Sequence, residues 1–217
     1  PAINQPYENP DVARWRGVFE RPGREIFDRR EQIVAAVAVE PGDHIADVGA
    51  GTGLFSLMFA RAVGPEGRVY AVDISDEFVH SIEERARRQG FDNILGVINN
   101  ARDVSLAPAS IDLAFVCDTY HHFEYPGDML ASTYQALKPG GGLVVVDFRR
   151  RHGVSSPWVM GHVRAGEAAV RGEVEAAGFE FVESLDFMRG QYYLRFRKPA
   201  APGQASGFSS GASQSSQ

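Results

Sequence analysis

The fold of this chain is decided by His44-Ile-Ala-Asp-Val-Gly-Ala-Gly-Thr-Gly-Leu-Phe55, followed by Val69-Tyr-Ala-Val-Asp73. Apolar residues before the glycines predict a short buried strand, and those after them predict a helix that packs back on the sheet. Gly49, Gly51 and Gly53 allow a sharp turn in which a ligand can lie against the main chain. Asp73 ends the next apolar strand, where a carboxylate can accept hydrogen bonds from both hydroxyls of a ribose. The pattern therefore predicts a bound adenosine cofactor.

The spacing of the glycines distinguishes two classes of cofactor. A dinucleotide site has the pattern G-x-G-x-x-G/A, but counting from Gly49 the third position is occupied by Leu54. Asp47-Val-Gly-Ala-Gly-Thr-Gly53 instead has an acidic residue followed by G-x-G-x-G, and in this it resembles the class I S-adenosylmethionine-dependent methyltransferases. The resemblance spans roughly residues 25–198 and continues in order through Asp73 and residues 100–103, 111–118 and 137–147. It is similar to the small-molecule type, nearest to the ubiquinone and menaquinone C-methyltransferases and the bacterial phospholipid N-methyltransferases.

The resemblance implies that S-adenosylmethionine binds at the glycine turn and that S-adenosylhomocysteine is the product. It implies cofactor contacts from Asp47, Gly49, Gly51, Gly53, Asp73, Ile74, Asn100, Ala101 and Asp118. For three of these a second interpretation stays open. Asp47 either positions the amino-acid end of the cofactor or fixes the loop, and Asn100 either accepts the adenine amino group or forms a turn. Ile74 is either a wall of the adenine pocket or part of the core.

The segment Asp118-Thr-Tyr-His-His-Phe-Glu-Tyr125 follows the fourth predicted strand, at the edge where open α/β sheets bind ligands. A neutral imidazole can remove a proton from an attacking heteroatom, and a carboxylate can orient an amine or a cation. We therefore take His121, His122 and Asp118 as the catalytic candidates. The alternative is that one histidine caps a helix or touches the cofactor.

The remaining histidines predict no metal site. A metal site needs several ligands at regular spacing, whereas His44, His80, His152 and His162 are scattered along the chain.

Aromatic and basic residues at either end of the domain are further candidates. Tyr7, Trp15 and Phe19 are expected either to form part of a lid over the cofactor or to pack on the sheet. Arg24, Arg29 and Arg30 are expected to be solvated charges, although one of them could meet the cofactor carboxylate. The run at residues 149–152 is expected at the surface, or against an anionic group of the substrate.

Composition limits the function classes. The chain has 217 residues, 44% of them hydrophobic, which suits one domain of ordinary size. A net charge of −6 argues against nucleic-acid binding and favours a neutral or cationic small molecule as partner. Cys117 is the single cysteine, so an internal disulfide is excluded. We predict a small-molecule methyl acceptor of undetermined chemistry and no integral membrane segment, with a homodimer as the candidate assembly.

Alternating strands and helices predict an α/β fold with a doubly wound, mostly parallel seven-stranded sheet, helices on both faces and a C-terminal antiparallel hairpin. We divide the chain into an N-terminal helical lid segment (1–40), a Rossmann-like methyltransferase domain (41–198) and a disordered tail (199–217). Helices are expected over 11–19, 25–39, 127–137 and 162–177, and the fifth strand over 142–148.

The predicted function is direct displacement of the methyl group onto the acceptor. Two alternatives stay open: a noncatalytic protein that binds S-adenosylmethionine and, less favoured because of Leu54, an NAD(P)-dependent oxidoreductase. The cytosolic origin of the cofactor favours a cytoplasmic location, with export after removal of a leader as the alternative.

Overall fold

The alternation of strands and helices produces one seven-stranded sheet in the computed structural model, which describes residues 3–7 and 9–200. The strands are β1 (His44–Val48), β2 (Arg68–Asp73), β3 (Ile94–Ile98), β4 (Ile111–Cys117), β5 (Leu137–Phe148), β6 (Glu180–Leu185) and β7 (Gln191–Arg197). Their order in the sheet is β3-β2-β1-β4-β5-β7-β6. Strands β1 to β5 are parallel, and β7 is antiparallel to both β5 and β6. The expected fold class is confirmed.

The helices occupy the connections between strands and the N-terminal segment. They are α1 (Val12–Phe19), α2 (Glu25–Asp28), α3 (Arg30–Val37), α4 (Leu54–Val63), α5 (Asp76–Arg88), α6 (Pro126–Ala136), α7 (Pro157–His162) and α8 (Glu167–Ala176), with short 3-10 turns at Gln5–Tyr7 and Tyr120–His122. Among the described residues, no helix is both long and apolar enough to cross a bilayer.

The central strands are buried on both faces, because successive side chains point to opposite sides of the sheet. Ile45 and Val144 belong to the core on one face, whereas their neighbours Ala46 and Val145 belong to the core on the other. Helices cover both faces, so the strands read as near-continuous apolar runs. This packing fixes the carboxyl ends of the parallel strands along one edge.

Two predicted helices are interrupted in the structure. The helix expected over 25–39 is divided at Arg29 into α2 and α3, and it ends at Ala38, which adopts a left-handed conformation with φ 53°. The helix expected over 162–177 is wrong at its start, because His162 ends α7 and α8 begins only at Glu167. Ser156 caps α7 by accepting a hydrogen bond from the backbone N–H of Val159. Helix α7 was not predicted from the sequence.

The fifth strand begins at Leu137 rather than at residue 142, so the glycine-rich segment is part of β5 itself. A side chain at Gly141 would approach the carbonyl oxygen of Asp112 to 2.9 Å, which explains the need for glycine there. After this strand, Arg149 is buried rather than at the surface. Its guanidinium pairs with Glu167 and Asp186 and links α8 to the end of the sheet.

The division of the chain at residues 40 and 198 stays a prediction. Most of the predicted tail, from residue 201 onward, lies outside the described residues.

Candidate active site

A cavity of about 550 Å³ lies at the carboxyl ends of the parallel strands, where the order of strands reverses around β1. Open α/β sheets bind their ligands at this position. The cavity brings together these residues of the sequence prediction: Asp47, Gly49, Gly51, Asp73, Ile74, Asn100, Ala101, Asp118, His121 and His122. Their common location supports one binding site for both cofactor and acceptor.

The glycine turn after β1 forms one wall of the cavity. Gly49 has φ +75°, and a Cβ there would lie 2.2 Å from the side chain of Thr119 in the loop after β4. Gly51 has φ +55°, and a side chain on it would project towards Phe19, at 3.6 Å. Gly53 differs, because its missing Cβ faces Ile82 of α5. Gly53 thus permits close packing of α4 on α5, and its contact with a cofactor stays a prediction.

Asp73 is held rigidly at the end of β2. Its carboxylate accepts hydrogen bonds from the backbone N–H groups of Gly51, at 2.8 Å, and Ser75, at 3.0 Å. Burial raises the pKa of Asp73, while these two hydrogen bonds oppose the increase. The next residue, Ile74, lines the cavity with 46% of its surface exposed, so it is an apolar wall and not a core residue.

Asp47 and Asp118 add two more buried carboxyl groups to the cavity. Burial raises the pKa of Asp47 to about 7, although its carboxylate accepts a hydrogen bond from Ser56 Oγ at 2.6 Å. Burial also raises the pKa of Asp118 to about 6, against the opposing effect of the Arg24 guanidinium at 2.6 Å. Among the described residues that line the cavity, buried carboxyl groups therefore outnumber arginine and lysine side chains.

The second oxygen of Asp118 is the most informative polar atom in the cavity. Oδ1 is buried and has no hydrogen-bond partner among the described residues. The backbone of Asp118 is left-handed, with φ 49°, which is strained for a residue other than glycine. A buried acceptor without a partner is costly, so this oxygen fits a donor or cationic group of a ligand.

Asn100 lies beside the cavity in a local turn. Its Oδ1 accepts a hydrogen bond from the backbone N–H of Arg102 at 2.9 Å, which is the turn interpretation left open by the sequence. Asn100 and Ala101 both line the cavity, and their contact with adenine stays a prediction.

The two adjacent histidines are fixed by different partners. Asp147, at the end of β5, accepts hydrogen bonds from His121 at its backbone N–H and at its ring Nδ1, the latter at 2.7 Å. Nδ1 of His122 donates to the Oδ1 of Asn4 at 2.9 Å, since Nδ2 of Asn4 donates to two other oxygens. In both rings Nδ1 therefore carries the hydrogen, and Nε2 retains a free lone pair.

The surroundings of His122 disfavour its protonated form. Burial, together with the neighbouring His121 and His162, lowers the pKa of His122 to about 3. Burial also lowers the pKa of His162. His122 is therefore neutral throughout the physiological range and is a weak proton acceptor.

Four residues around the two histidines were not predicted from the sequence: Asn4, Asp147, Trp158 and His162. His162 appeared remote, but α7 places its ring centroid 5.2 Å from those of both His121 and His122. Trp158 stacks on His162 at 4.5 Å and meets Phe148 edge-on. Only Asp147 had a signal in the sequence, because it ends an apolar strand at the same edge as Asp73.

The N-terminal segment covers one side of the cavity. Tyr7, Trp15 and Phe19 all line it, with successive ring centroids 4.8 and 5.0 Å apart. Arg24 also lines the cavity instead of lying in solvent, and its ring-facing guanidinium lies 5.0 Å from Phe19.

Comparison with known proteins agrees with this geometry. Residues 45–141 match a family model described as a methyltransferase domain. The chain is 29% identical over 122 residues to a ubiquinone/menaquinone biosynthesis C-methyltransferase of Marinomonas sp., covering 56% of this chain and 49% of the relative. It is 27% identical over 118 residues to a demethylmenaquinone methyltransferase of Listeria welshimeri, covering 54% and 50%. Residues 45–141 therefore form a methyltransferase domain, and these likenesses support the class I S-adenosylmethionine-dependent type.

The fold of the chain also matches solved structures. A SAM-dependent methyltransferase from Aquifex aeolicus superposes with a TM-score of 0.77 at 22% identity, covering 87% of this chain and 99% of that one. At that identity the match shows the fold alone. The chain spans about half the length of the curated relatives that it matches.

The residues of the cavity fit S-adenosylmethionine, the cofactor of the family. The sulfonium and amino groups of this molecule are cationic, and the cavity offers Asp47, Asp73 and Asp118 against the one guanidinium of Arg24. The unpartnered Oδ1 of Asp118 provides an acceptor for such a ligand, and the cavity of about 550 Å³ provides room for it.

Proposed function

We propose that this methyltransferase transfers a methyl group from S-adenosylmethionine to a small, planar, largely apolar acceptor by direct displacement. One observation carries the proposal: a single cavity joins the buried carboxylates beside the glycine turn to a wall of histidine and aromatic rings. The first group suits a cationic nucleoside, and the second suits a flat acceptor with a polar edge.

The cofactor would bind to hydrogen-bond acceptors whose orientation is already fixed in the structure. Asp73 is oriented by two backbone N–H groups, so it would receive the ribose hydroxyls without rearranging. Ile74 and Ala101 would enclose the adenine ring, and Asp118 would accept from the amino group of the methionine part. Arg24, already paired with Asp118, would meet its carboxylate.

When bound, S-adenosylmethionine supplies an activated methyl group on a sulfonium, which is already a good leaving group. The residues of the chain therefore contribute mainly by holding acceptor and cofactor in line. Effective molarities of well-oriented intramolecular reactions indicate that such alignment contributes up to about 7–11 kcal/mol. Closure of the segment that carries Tyr7 and Trp15 would exclude water from the aligned pair.

Proton removal from the acceptor is assigned to His121. Its Nδ1–H is held by Asp147, so Nε2 keeps the lone pair that accepts a proton. His122 is a weaker candidate, because burial and its neighbours lower its pKa to about 3. Asp147 acts as a positioning residue for His121.

The acceptor is proposed to be a hydroxylated aromatic compound of the quinol class. Phe148, Trp158 and His162 offer ring faces and edges against which a planar molecule can stack. The names of the curated relatives, which concern ubiquinone and menaquinone biosynthesis, support this class. A cytoplasmic location and a homodimer, both expected from the sequence, remain further parts of the proposal.

Methyl transfer is tested with S-adenosylmethionine labelled in its methyl group, using quinols, phenols, amines and thiols as acceptors. We expect incorporation into hydroxylated aromatic compounds and a loss of about 10²-fold or more in His121→Ala. Exposed His80, on α5, gives the matched control His80→Ala, which should retain full activity. Cofactor binding without turnover on any acceptor would overturn the proposal in favour of a noncatalytic binding protein.

A further inference from the structure

Three histidines from two separate elements meet at the cavity wall. His121 and His122 lie in the 3-10 turn after β4, and His162 ends α7. One possible ligand nitrogen from each ring lies within 4.8 Å of the others. Such convergence of three imidazoles from distant parts of the chain is a ligand set, and the methyl-transfer proposal assigns proton transfer to only one of the three.

Hydrogen bonds prepare two of these rings for coordination. Asp147 and Asn4 each accept from an Nδ1–H, so the Nε2 atoms of His121 and His122 keep free lone pairs. A ligating histidine in a protein usually donates its other N–H to a carboxylate or carbonyl oxygen, which fixes the ring and increases its basicity. Both partners are of that kind.

We propose that His121, His122 and His162 bind a divalent first-row transition-metal ion, represented by Zn²⁺, with one coordination position open to the cavity. Imidazole nitrogen suits Zn²⁺, Cu²⁺, Fe²⁺ and Ni²⁺. Tetrahedral Zn²⁺ with bonds of about 2.0–2.1 Å requires nitrogens roughly 3.3 Å apart. His162 provides the adjustment, since it is only partly buried and ends the short helix α7.

The role of the ion rests on the proposed function. Three protein ligands leave the fourth position for a hydroxyl or thiol of the acceptor. A group coordinated there has a lowered pKa, releases its proton to solvent and is held as an anion. With the ion bound, the lone pair of His121 is committed to the metal, so the ion replaces the imidazole as the means of activating the acceptor.

Metal binding is tested with Zn²⁺ or Co²⁺ alone, added to the full chain freed of metal by chelation and carrying no histidine tag. We expect one equivalent by calorimetry, and Co²⁺ should give the visible absorption of a four- or five-coordinate site. His162→Ala should weaken binding at least tenfold, whereas the matched control His80→Ala should bind as the parent does. Stacking of Trp158 on His162 gives a second readout, a change in tryptophan fluorescence that disappears in Trp158→Phe.

The outcomes separate this inference from the proposed function. Binding of S-adenosylmethionine by His162→Ala shows that the variant is folded, so loss of metal binding in it supports the site. Absence of stoichiometric binding in the parent chain, or equal binding in His162→Ala, would overturn the inference. If the parent chain binds Zn²⁺ through these histidines and does not bind S-adenosylmethionine, the metal site stands and the proposed function fails.

Discussion

Asp147 accepts two hydrogen bonds from His121, one from the backbone N–H at 3.0 Å and one from ring Nδ1 at 2.7 Å. The side chains of both residues are almost completely buried. The carboxylate therefore fixes both the position and the tautomer of the ring, and it leaves the lone pair on Nε2.

Substituting Asp147→Asn should remove this control, because an amide can present its NH₂ group to Nδ1 and favour the other tautomer. We expect kcat to fall about 10²-fold or more, with little change in the Kd for S-adenosylmethionine. Steady-state kinetics across pH separates this role from a structural one. A positioning role predicts that the pH profile of kcat shifts in the variant, whereas a purely structural role predicts a lower kcat with an unchanged profile. Asp186→Asn, at an exposed carboxylate, is the control; equal losses in both variants would contradict the assignment.

Binding of S-adenosylmethionine should weaken as the pH falls. The pKa of Asp47 is about 7 and that of Asp118 is about 6, so both carboxyl groups become neutral at low pH and no longer attract a cation. We expect the Kd to increase about tenfold or more between pH 7.5 and pH 5. Calorimetry with S-adenosylhomocysteine, which lacks the sulfonium charge, should show a smaller dependence. The same Kd for S-adenosylmethionine at both pH values would contradict this electrostatic account.

Ionisation of Asp47 should favour cofactor binding but should lower the stability of the ligand-free chain. Its pKa is raised in the folded state, so its contribution to stability is complete below the ordinary value of 3.8 and is lost as the pH rises through about 7. Asp47→Asn stays neutral and can still accept from Ser56, so we expect a gain of about 1–3 kcal/mol in the free energy of unfolding at pH 8. Urea unfolding should show a much smaller gain at pH 5. An equal change at both pH values would refute the charge effect.

The turn at Gly49 should not accept a side chain. Gly49→Ala combines a left-handed backbone with a clash against Thr119, whereas Gly90, at φ +74°, has open space around it. Gly90→Ala therefore measures the backbone cost alone, about 1–2 kcal/mol. We expect Gly49→Ala to cost roughly 1–3 kcal/mol more than Gly90→Ala in urea unfolding. Equal costs would show that the turn has room for a side chain.

Periodicity and glycine spacing were enough to predict the sheet, because its strands are local apolar runs and its turns need glycine. The helix expected over 162–177 was wrong at its start: its residues have helical spacing, but His162 ends α7, which Ser156 caps, and α8 begins only at Glu167. Caps of this kind depend on single hydrogen bonds that a periodic pattern does not contain.

The cofactor side of the site was predictable because it follows strand ends in chain order. The surroundings of His121 and His122 were not predictable, because Asn4, Asp147 and His162 come from three distant segments. They meet the two histidine rings only in the folded chain. The ion pair of Arg24 with Asp118 was not predictable either, because the residues around Arg24 in the sequence are those of an ordinary solvated helix.

The most direct test of the account is calorimetric titration of S-adenosylmethionine into the parent chain, into Asp73→Ala and into the control Asp92→Ala, which changes an exposed carboxylate. We predict one-to-one binding with a micromolar Kd, weakened at least tenfold in Asp73→Ala and unchanged in Asp92→Ala. No binding to the parent chain, or equal binding by Asp73→Ala, would contradict the placement of the cofactor at the glycine turn.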